Sequence, residues 1–217
     1  MTAPKTIAIV GATGKIGSVI ARSLADARYR LVLMANNREK LEALKHELVQ
    51  IYDGDIALVA TAREAAWEAD LVVLAVSADV EMAIAGHIRD VVAGKIVISI
   101  SARDNRKEQG SAAEELQRML PYSRIVKTFN TVHVSAYVSP AVSCKSSVLF
   151  LAGNNGDAVS VVTELGKDAG FSPMVVGDLS ASRALERMAF HQRMTGLCRG
   201  SRSIPQSRGE SSGSSIL

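Results

Sequence analysis

Short apolar runs alternate with amphipathic segments along most of the chain. The first run, Ile7–Val10, precedes a segment from Ile16 to Leu24 in which apolar residues recur at the spacing of one helix face. The continuous apolar run Asp70–Val76 is typical of a central parallel strand, which is buried on both faces. The repeated alternation predicts an α/β fold, with a Rossmann-like, doubly wound, mostly parallel sheet and helices on both faces.

The same pattern predicts the bounds of most elements. The predicted strands are Ile7–Val10, Arg30–Ala35, Ile56–Val59, Asp70–Val76, Lys95–Ile100, Arg124–Thr128, Ser147–Ala152 and Pro173–Val176. After the first helix, the predicted helices are Glu39–Leu48, Ala62–Glu68, Val80–Val92, one from the Ser111–Glu114 capping box through Leu120, Ala158–Ala169, and one from Ser180 to about Thr195. From Arg199 the chain is rich in Ser, Gly and Arg, so residues 199–217 are predicted to be a disordered tail.

Three glycines lie where the first strand leads into the first helix. Gly11, Gly14 and Gly17 follow a G-x-x-G-x-x-G spacing. Gly11 can adopt the angles of a tight turn, Gly14 lets a diphosphate approach the main chain, and Gly17 lets the helix pack closely on the strand. The N–H groups and positive dipole end of that helix then face an anion. We therefore predict an NAD(P)-binding domain over residues 1–198; the alternative is a tight turn without a ligand.

The end of the second strand bears on the choice between NADP and NAD. An NAD site usually has Asp or Glu there to accept hydrogen bonds from the ribose 2′-OH, whereas this chain has Ala35, Asn36, Asn37 and Arg38. Arg38 can pair with a 2′-phosphate as a planar fork, and Asn36 can donate to it, so the sequence favours NADP(H). In the alternative interpretation, the asparagines cap the next helix and Arg38 is solvated. The two interpretations are compatible.

Composition argues against several classes of partner. The net charge is +3 over 217 residues and the basic residues are scattered, so we expect no nucleic-acid partner. No apolar run approaches the length of a membrane span, so no membrane association is expected. The chain starts Met-Thr-Ala-Pro-Lys before the first strand, so no signal peptide is expected. Its two cysteines, Cys144 and Cys198, form no metal motif. A reduced, cytoplasmic protein without a metal is the expectation.

Four segments together resemble the F420-dependent NADP oxidoreductases, to which the ferric-reductase domains of the STEAP proteins look related. They are Gly11–Gly17, Ala69–Val76, Ile125–Val132 and Val176–Arg183. Of the four segments, the Lys-Thr-Phe-Asn-Thr block starting at Lys127 is the most specific to this family, because it is not part of the general Rossmann pattern. The resemblance extends from about Lys5 to Phe190. It implies NADP(H) as cofactor, with coenzyme F420 or a flavin as co-substrate.

The resemblance also implies roles for individual residues. The diphosphate would be held by Thr13, Gly14, Lys15 and Ile16. Lys40 matches a family lysine, and Val76 and Ser77 would flank the adenine-side ribose or the nicotinamide. Ala102 and Thr128 would approach the nicotinamide, with Phe129 and Asn130 beside them. The chain departs from the family at Ala35 and Asn36, where a Ser-Arg pair is usual, at Ser77, where many members have Pro, and after His191, where a polar segment replaces an apolar closing one.

The predicted chemistry is hydride transfer between the nicotinamide and a deazaflavin, a flavin-like molecule or another small acceptor, for which the protein supplies binding and orientation. With a flavin-like acceptor no dedicated acid or base is required. Thr128 and Asn130 are the candidates for orienting the nicotinamide amide or the acceptor. His133 is a candidate proton donor, since its ordinary pKa suits neutral pH, and a loop-capping histidine is the alternative.

Two other functions are compatible with the glycine motif. One is an NADP-binding redox sensor of the NmrA-like type, although Tyr122 and Tyr137 lack the lysine four residues later that short-chain reductases use. The other is a nucleotide-binding module whose acceptor site is completed by another chain, such as a second copy in a homodimer. The altered C-terminal region motivates that hypothesis.

Overall fold

The computed structural model describes residues 6–52, 54–103, 110–131 and 148–195, with side chains described as far as residue 191. Its strands are β1 (Thr6–Val10), β2 (Arg30–Met34), β3 (Ile56–Leu58), β4 (Leu71–Leu74), β5 (Ile96–Ser99), β6 (Arg124–Lys127), β7 (Val148–Gly153) and β8 (Ser172–Gly177). They form one sheet in the order β3-β2-β1-β4-β5-β6-β7-β8. Every pairing is parallel except that of β6 with β7.

Six of the described helices lie in connections between strands, and a seventh follows the last strand. They are α1 (Lys15–Asp26), α2 (Arg38–Ile51), α3 (Ala62–Glu68), α4 (Ala78–Ile88), α5 (Ala112–Met119), α6 (Gly156–Asp168) and α7 (Ser182–Thr195), the last preceded by a 3-10 turn at Leu179–Ala181. None of the helices in the described part of the chain is long and apolar enough to cross a bilayer.

The sheet separates two apolar cores. Ile7 and Ile9 of β1 face the core that contains Leu24 of α1 and Leu41 of α2. Ala8 and Val10 face the opposite core, which α3, α4 and α5 cover. Because the strand is buried on both faces, it reads as a continuous apolar run rather than as an alternating one. The predicted doubly wound α/β fold, with helices on both faces of a mostly parallel sheet, is confirmed.

Capping side chains explain two helix starts that differ from the prediction. Asn37 Oδ1 accepts a hydrogen bond from the Lys40 N–H at 2.8 Å, so α2 begins at Arg38 rather than at Glu39. Asn155 Oδ1 accepts from the Ala158 N–H at 2.9 Å, so α6 begins at Gly156 rather than at the predicted Ala158. In both cases the cap satisfies a first-turn donor and lets the helix extend toward the N-terminus.

Candidate functional site

Five parallel strands end in one row along the carboxyl edge of the sheet. Met34 pairs with Val10, Val10 with Leu74, Leu74 with Ser99, and Ser99 with Lys127. The segments that follow these residues therefore leave the sheet side by side. The strand order reverses between β1 and β4, and a doubly wound sheet binds its ligand in the crevice at such a point. Nearly every predicted site residue lies along this row.

The glycine turn after β1 has the geometry that the sequence predicted. Gly11 has φ +87°, and a Cβ there would lie 2.4 Å from the Ala75 carbonyl oxygen. A Cβ on Gly17 would lie 2.2 Å from the Gly11 carbonyl oxygen, because α1 packs closely on the turn. Gly14 differs from both: it is exposed, and its nearest neighbour would be the Gly11 oxygen at 3.2 Å. Gly11 and Gly17 thus shape the turn, while Gly14 leaves its outer side open.

The caps at the helix N-termini divide the helices into two groups. Side chains cap α2, α3, α5 and α6, through Asn37, Thr61, Ser111 and Asn155. In contrast, Gly14 before α1 and Ser77 before α4 make no side-chain cap hydrogen bond. These two helices start from β1 and β4, at the crevice. Their first-turn N–H groups have no intrahelical acceptor and suit an anion that approaches from the crevice.

The remaining predicted diphosphate residues surround the same helix start. Gly14 and Lys15 are exposed, and Thr13 and Ile16 are half-buried. The Gly11 and Ala12 N–H groups both donate to the Met34 carbonyl, at 2.8 and 3.0 Å, which ties the turn to the end of β2.

The segment that follows β2 carries exposed cations, and none of the four residues directly after the strand is a carboxylate. Asn36, Asn37, Arg38 and Lys40 are all exposed, and Asn37 is used as the cap of α2. The Arg38 guanidinium donates through Nε to Glu42 Oε1 at 2.6 Å, one turn along the helix. That bond uses one of the five guanidinium N–H groups. The structure thus shows the capping role for Asn37 together with an exposed, oriented Arg38.

The residues predicted at the ends of β4 and β5 are accessible from this edge. Val76 and Ala102 are half-buried, and Ser77 is exposed at the start of α4. Glu81, an acidic residue in the first turn of α4, is instead fully buried beneath this region. Among the described residues, no group of three or more His, Cys, Asp or Glu side chains is arranged to hold a metal ion.

The turn after β6 combines backbone strain with unpaired buried polar atoms. Phe129 has φ +59°, which a bulky residue rarely adopts and which costs about 1–3 kcal/mol. Its ring is buried and packs edge-on against Phe171, with 5.6 Å between the ring centroids. Asn130 follows, and its Oδ1 and Nδ2 are both buried and have no hydrogen-bond partner among the described residues; the same holds for Thr131 Oγ1. Buried amides are normally paired, so this turn is suited to a polar ligand.

Unlike Asn130, the two residues before it use their side chains for contacts within the protein. Thr128 is fully buried, and its hydroxyl donates to the Phe150 carbonyl of β7 at 2.9 Å. Its side chain therefore joins β6 to β7. Phe129 likewise points its ring into the core, so its contribution at the crevice is the backbone of the strained turn. His133 lies outside the described residues and stays a prediction, as do the tail 199–217 and both cysteines.

Sequence reasoning missed a buried polar cluster beneath the ends of β5 and β6. Its centre is the Lys127 ammonium, which lies 3.0 Å from Glu186 Oε1, with both side chains fully buried. Lys127 Nζ also donates to Ser99 Oγ at 3.1 Å and to the Ser101 carbonyl. The signal was present in the sequence, because a lysine within an otherwise buried strand requires a partner.

A second carboxyl group extends the cluster. The Ser101 hydroxyl donates to Glu81 Oε2 at 2.5 Å, while Glu81 Oε1 is buried and has no hydrogen-bond partner in the described part of the chain. Burial raises the pKa of Glu81 above its ordinary value, against the opposing effects of Lys127 and the Ser101 hydrogen bond. Lys127 is already paired with Glu186, so Glu81 is an additional acidic group in the same buried cluster.

The row of strand ends fits a dinucleotide. At about 4.8 Å between neighbouring strands, the distance from β2 to β6 is roughly 19 Å, and a dinucleotide lies across such a crevice. The uncapped start of α1 and the open side of Gly14 suit a diphosphate. Exposed Arg38 and Lys40 suit a 2′-phosphate at one end, and the unpaired Asn130 amide suits a polar group at the other.

Comparisons with known proteins agree with this geometry. A family model for coenzyme F420-dependent NADP oxidoreductases matches residues 6–103. The F420-dependent NADP reductase of Methanothermobacter thermautotrophicus strain Delta H is 30% identical over 200 residues, which cover 84% of this chain and 85% of that protein. The metalloreductase STEAP3 of Rattus norvegicus is 25% identical over 187 residues, which cover 85% of this chain but only 36% of that longer protein.

A solved structure agrees as well. A candidate F420-dependent NADP reductase from Arthrobacter sp. FB24 covers 89% of this chain and 94% of its own, with a TM-score of 0.73 at 23% identity, a likeness of fold. The Methanothermobacter thermautotrophicus reductase, at 30% identity with 84% of this chain covered, is the relative that assigns the family. The protein therefore belongs to the F420-dependent NADP oxidoreductase family, a family of NADP-dependent reductases.

Proposed function

We propose that this protein transfers a hydride between NADP(H) and a deazaflavin of the coenzyme F420 class. The observation that carries the proposal is the row of strand ends at the crevice. It presents exposed cations at β2, an uncapped helix start at β1 and an unpaired, buried amide after β6. These features follow the order of the chemical groups along NADP(H): 2′-phosphate, diphosphate and nicotinamide.

The diphosphate would bind at the start of α1. The backbone of Thr13, Gly14, Lys15 and Ile16 surrounds the uncapped first turn, and Lys15 adds a positive charge on its exposed side. Ser77, at the uncapped start of α4, and Val76 before it lie on the other side of the crevice and would contact the adjacent ribose.

The 2′-phosphate would bind at the start of α2. Arg38 is held by Glu42 through Nε, which leaves its terminal N–H groups to form a bidentate contact. Lys40 and Asn36 are exposed beside it. With no carboxylate at the residues that directly follow β2, this end of the crevice favours a phosphate over a ribose hydroxyl pair.

At the other end, the protein orients the reacting ring. Asn130 offers both a donor and an acceptor from one rigid turn, which matches the two polar atoms of a carboxamide. Thr128 fixes that turn by its bond to Phe150, and Ala102 lies at the end of the neighbouring strand. When bound, NADPH supplies a hydride, which the deazaflavin accepts together with one proton from solvent to give NADP⁺ and the reduced deazaflavin. Residues that hold the two rings in contact and exclude water are sufficient for such a transfer.

The proposal also includes a proton donor and a cover for the acceptor side of the site. His133, five residues after Thr128 in the chain, would supply the proton in place of solvent. A second subunit would cover the acceptor side, since the segment after α7 departs from the family pattern. The F420-dependent relatives are what favours a deazaflavin over a flavin as the acceptor.

The test is a titration followed by a turnover assay. Purified protein is titrated with NADPH and NADH by calorimetry, and NADPH oxidation is then followed with coenzyme F420, FMN, a quinone and ferric citrate as acceptors. We expect tighter binding of NADPH than of NADH, and turnover with F420. Binding without turnover on any acceptor would favour the NmrA-like sensor, and turnover with another acceptor would reassign the co-substrate. A failure to bind either nucleotide would overturn the proposal.

A further inference from the structure

The ends of β5 and β6 are joined by one buried ammonium group. Lys127 is the last residue of β6, and its Nζ donates to Ser99 Oγ and to the Ser101 carbonyl at the end of β5. Three residues beyond the ends of these strands lie Ala102, after β5, and Asn130, after β6, and both are assigned to the nicotinamide. A shift of Lys127 would therefore change the spacing between the two sides of the nicotinamide site.

Glu186 of α7 fixes the loop that follows β5 at both of its ends. Its Oε2 accepts hydrogen bonds from the Arg103 N–H at 3.3 Å and from the Ala112 N–H at 3.1 Å. Its Oε1 accepts from the Ala113 N–H at 3.3 Å and lies 3.0 Å from Lys127 Nζ. One carboxylate thus joins the start of the loop, the start of α5 and the end of β6.

A purely structural role explains this arrangement poorly. Removing a buried ion pair in favour of well-packed apolar side chains is often neutral or stabilising, so stability alone does not require charges here. The charged groups instead fix the positions of their neighbours. Each hydrogen bond of Lys127 and Glu186 holds a backbone segment or a side chain at the edge of the crevice. Sites of this kind depend on supporting residues that hold the contacting ones in place.

We propose that Lys127 and Glu186 are positioning residues for the nicotinamide half of the crevice. They set the separation of Ala102 and Asn130 without contacting the nucleotide, and so they determine how well the nicotinamide end is bound and aligned. This role rests on the proposed function, because it assigns the ends of β5 and β6 to the nicotinamide.

The test compares two ligands that differ only at the nicotinamide end. NADPH and 2′-phospho-ADP-ribose share the diphosphate and the 2′-phosphate, so the ratio of their dissociation constants isolates the contribution of the nicotinamide half. In Glu186→Gln and Lys127→Met we expect Kd for NADPH to rise by about tenfold, the equivalent of one lost oriented hydrogen bond, with little change in Kd for 2′-phospho-ADP-ribose. The control is Glu47→Gln, which removes an ion pair with Arg22 on the surface of α1 and α2 and should leave the ratio unchanged.

The outcomes separate the inference from the function on which it rests. Wild-type protein that binds neither ligand would overturn both. If the wild type binds both ligands but the variants leave the ratio of the two dissociation constants unchanged, the positioning role alone is overturned. If a single variant does not fold, the double variant Lys127→Met/Glu186→Gln leaves no buried charge unpaired in the pair, and the same ratio is measured on it.

Discussion

Lys127 Nζ lies 3.0 Å from Glu186 Oε1, and solvent reaches neither side chain. The pair joins the last residue of β6 to α7, the helix that closes the described chain. A buried charge that loses its partner is costly, so Lys127→Met should lower the free energy of unfolding by about 3–5 kcal/mol, as should Glu186→Gln. The double variant should lose clearly less than the sum of the two single losses. Urea unfolding of the four proteins measures this coupling, and strictly additive losses would show that the two groups do not interact.

The glycine turn predicts a separation between binding and stability. A Cβ on Gly14 would lie 3.2 Å from the Gly11 carbonyl oxygen and 3.7 Å from the Ala75 carbonyl oxygen, and a larger side chain would extend into the space assigned to the diphosphate. Gly14→Val should therefore abolish binding of both NADPH and NADH with a modest change in Tm. Gly17→Ala places a Cβ 2.2 Å from the Gly11 oxygen, so it should lower Tm substantially. Calorimetric titration and thermal unfolding distinguish them, and unchanged nucleotide affinity in Gly14→Val would mean that the loop is only a turn.

Arg38 predicts the preference for NADP. Arg38→Asp replaces an oriented cation with an anion where the 2′-phosphate would lie, so Kd for NADPH should rise by about 10–100-fold, the loss expected for a charge-assisted hydrogen bond. Kd for NADH should change little, because NADH has no 2′-phosphate. Glu42→Gln is the matched control: it weakens the orientation of Arg38 but keeps its charge, and should have a smaller effect. Equal losses for the two nucleotides in Arg38→Asp would contradict the assignment.

Local sequence signals predicted the parts of this protein that depend on neighbouring residues. The eight strands, the turn at Gly11 and the capping box at Ser111 follow from hydrophobic periodicity and from the geometry of short motifs. The buried cluster depends on contacts between distant segments. The Lys127 side chain could be recognised as needing a partner, but nothing local to β6 identifies Glu186 on α7 as that partner.

Helix boundaries show the same limit on a smaller scale. The apolar pattern predicts that the sixth helix starts at Ala158, yet the Asn155 side chain caps it and α6 begins at Gly156. The strained turn at Phe129 was also not foreseeable, since a positive φ at a phenylalanine is imposed by tertiary packing rather than by local preference. The family resemblance, carried by that same block, was therefore more informative about the site than the residue types alone.

Glu81 predicts a dependence of stability on pH. Burial raises the pKa of this acid in the folded protein above its ordinary value of 4.5. As the pH rises above that value, the unfolded chain releases the proton first, so the folded state loses stability until the pH reaches the folded pKa. Glu81→Gln, a neutral side chain of the same shape, should remove this loss. The difference in Tm between the variant and the wild type should become more positive from pH 5 to pH 8, and a constant difference would mean that Glu81 is ionised in the folded protein.

Glu114 predicts the opposite behaviour at acid pH. The Arg183 guanidinium donates to its carboxylate at 2.6 and 2.8 Å, and this contact, together with Ser111, lowers the pKa of Glu114 to about 2. The stability from a lowered carboxyl pKa is fully present above the unfolded value of 4.5 and is lost as the pH falls through about 2. Glu114→Gln should therefore flatten the decline in Tm between pH 4.5 and pH 2. Glu164→Gln, which removes a surface pair with Lys167, is the control and should leave that decline in place. An equally steep decline in Glu114→Gln would show that acid unfolding is set by other carboxylates.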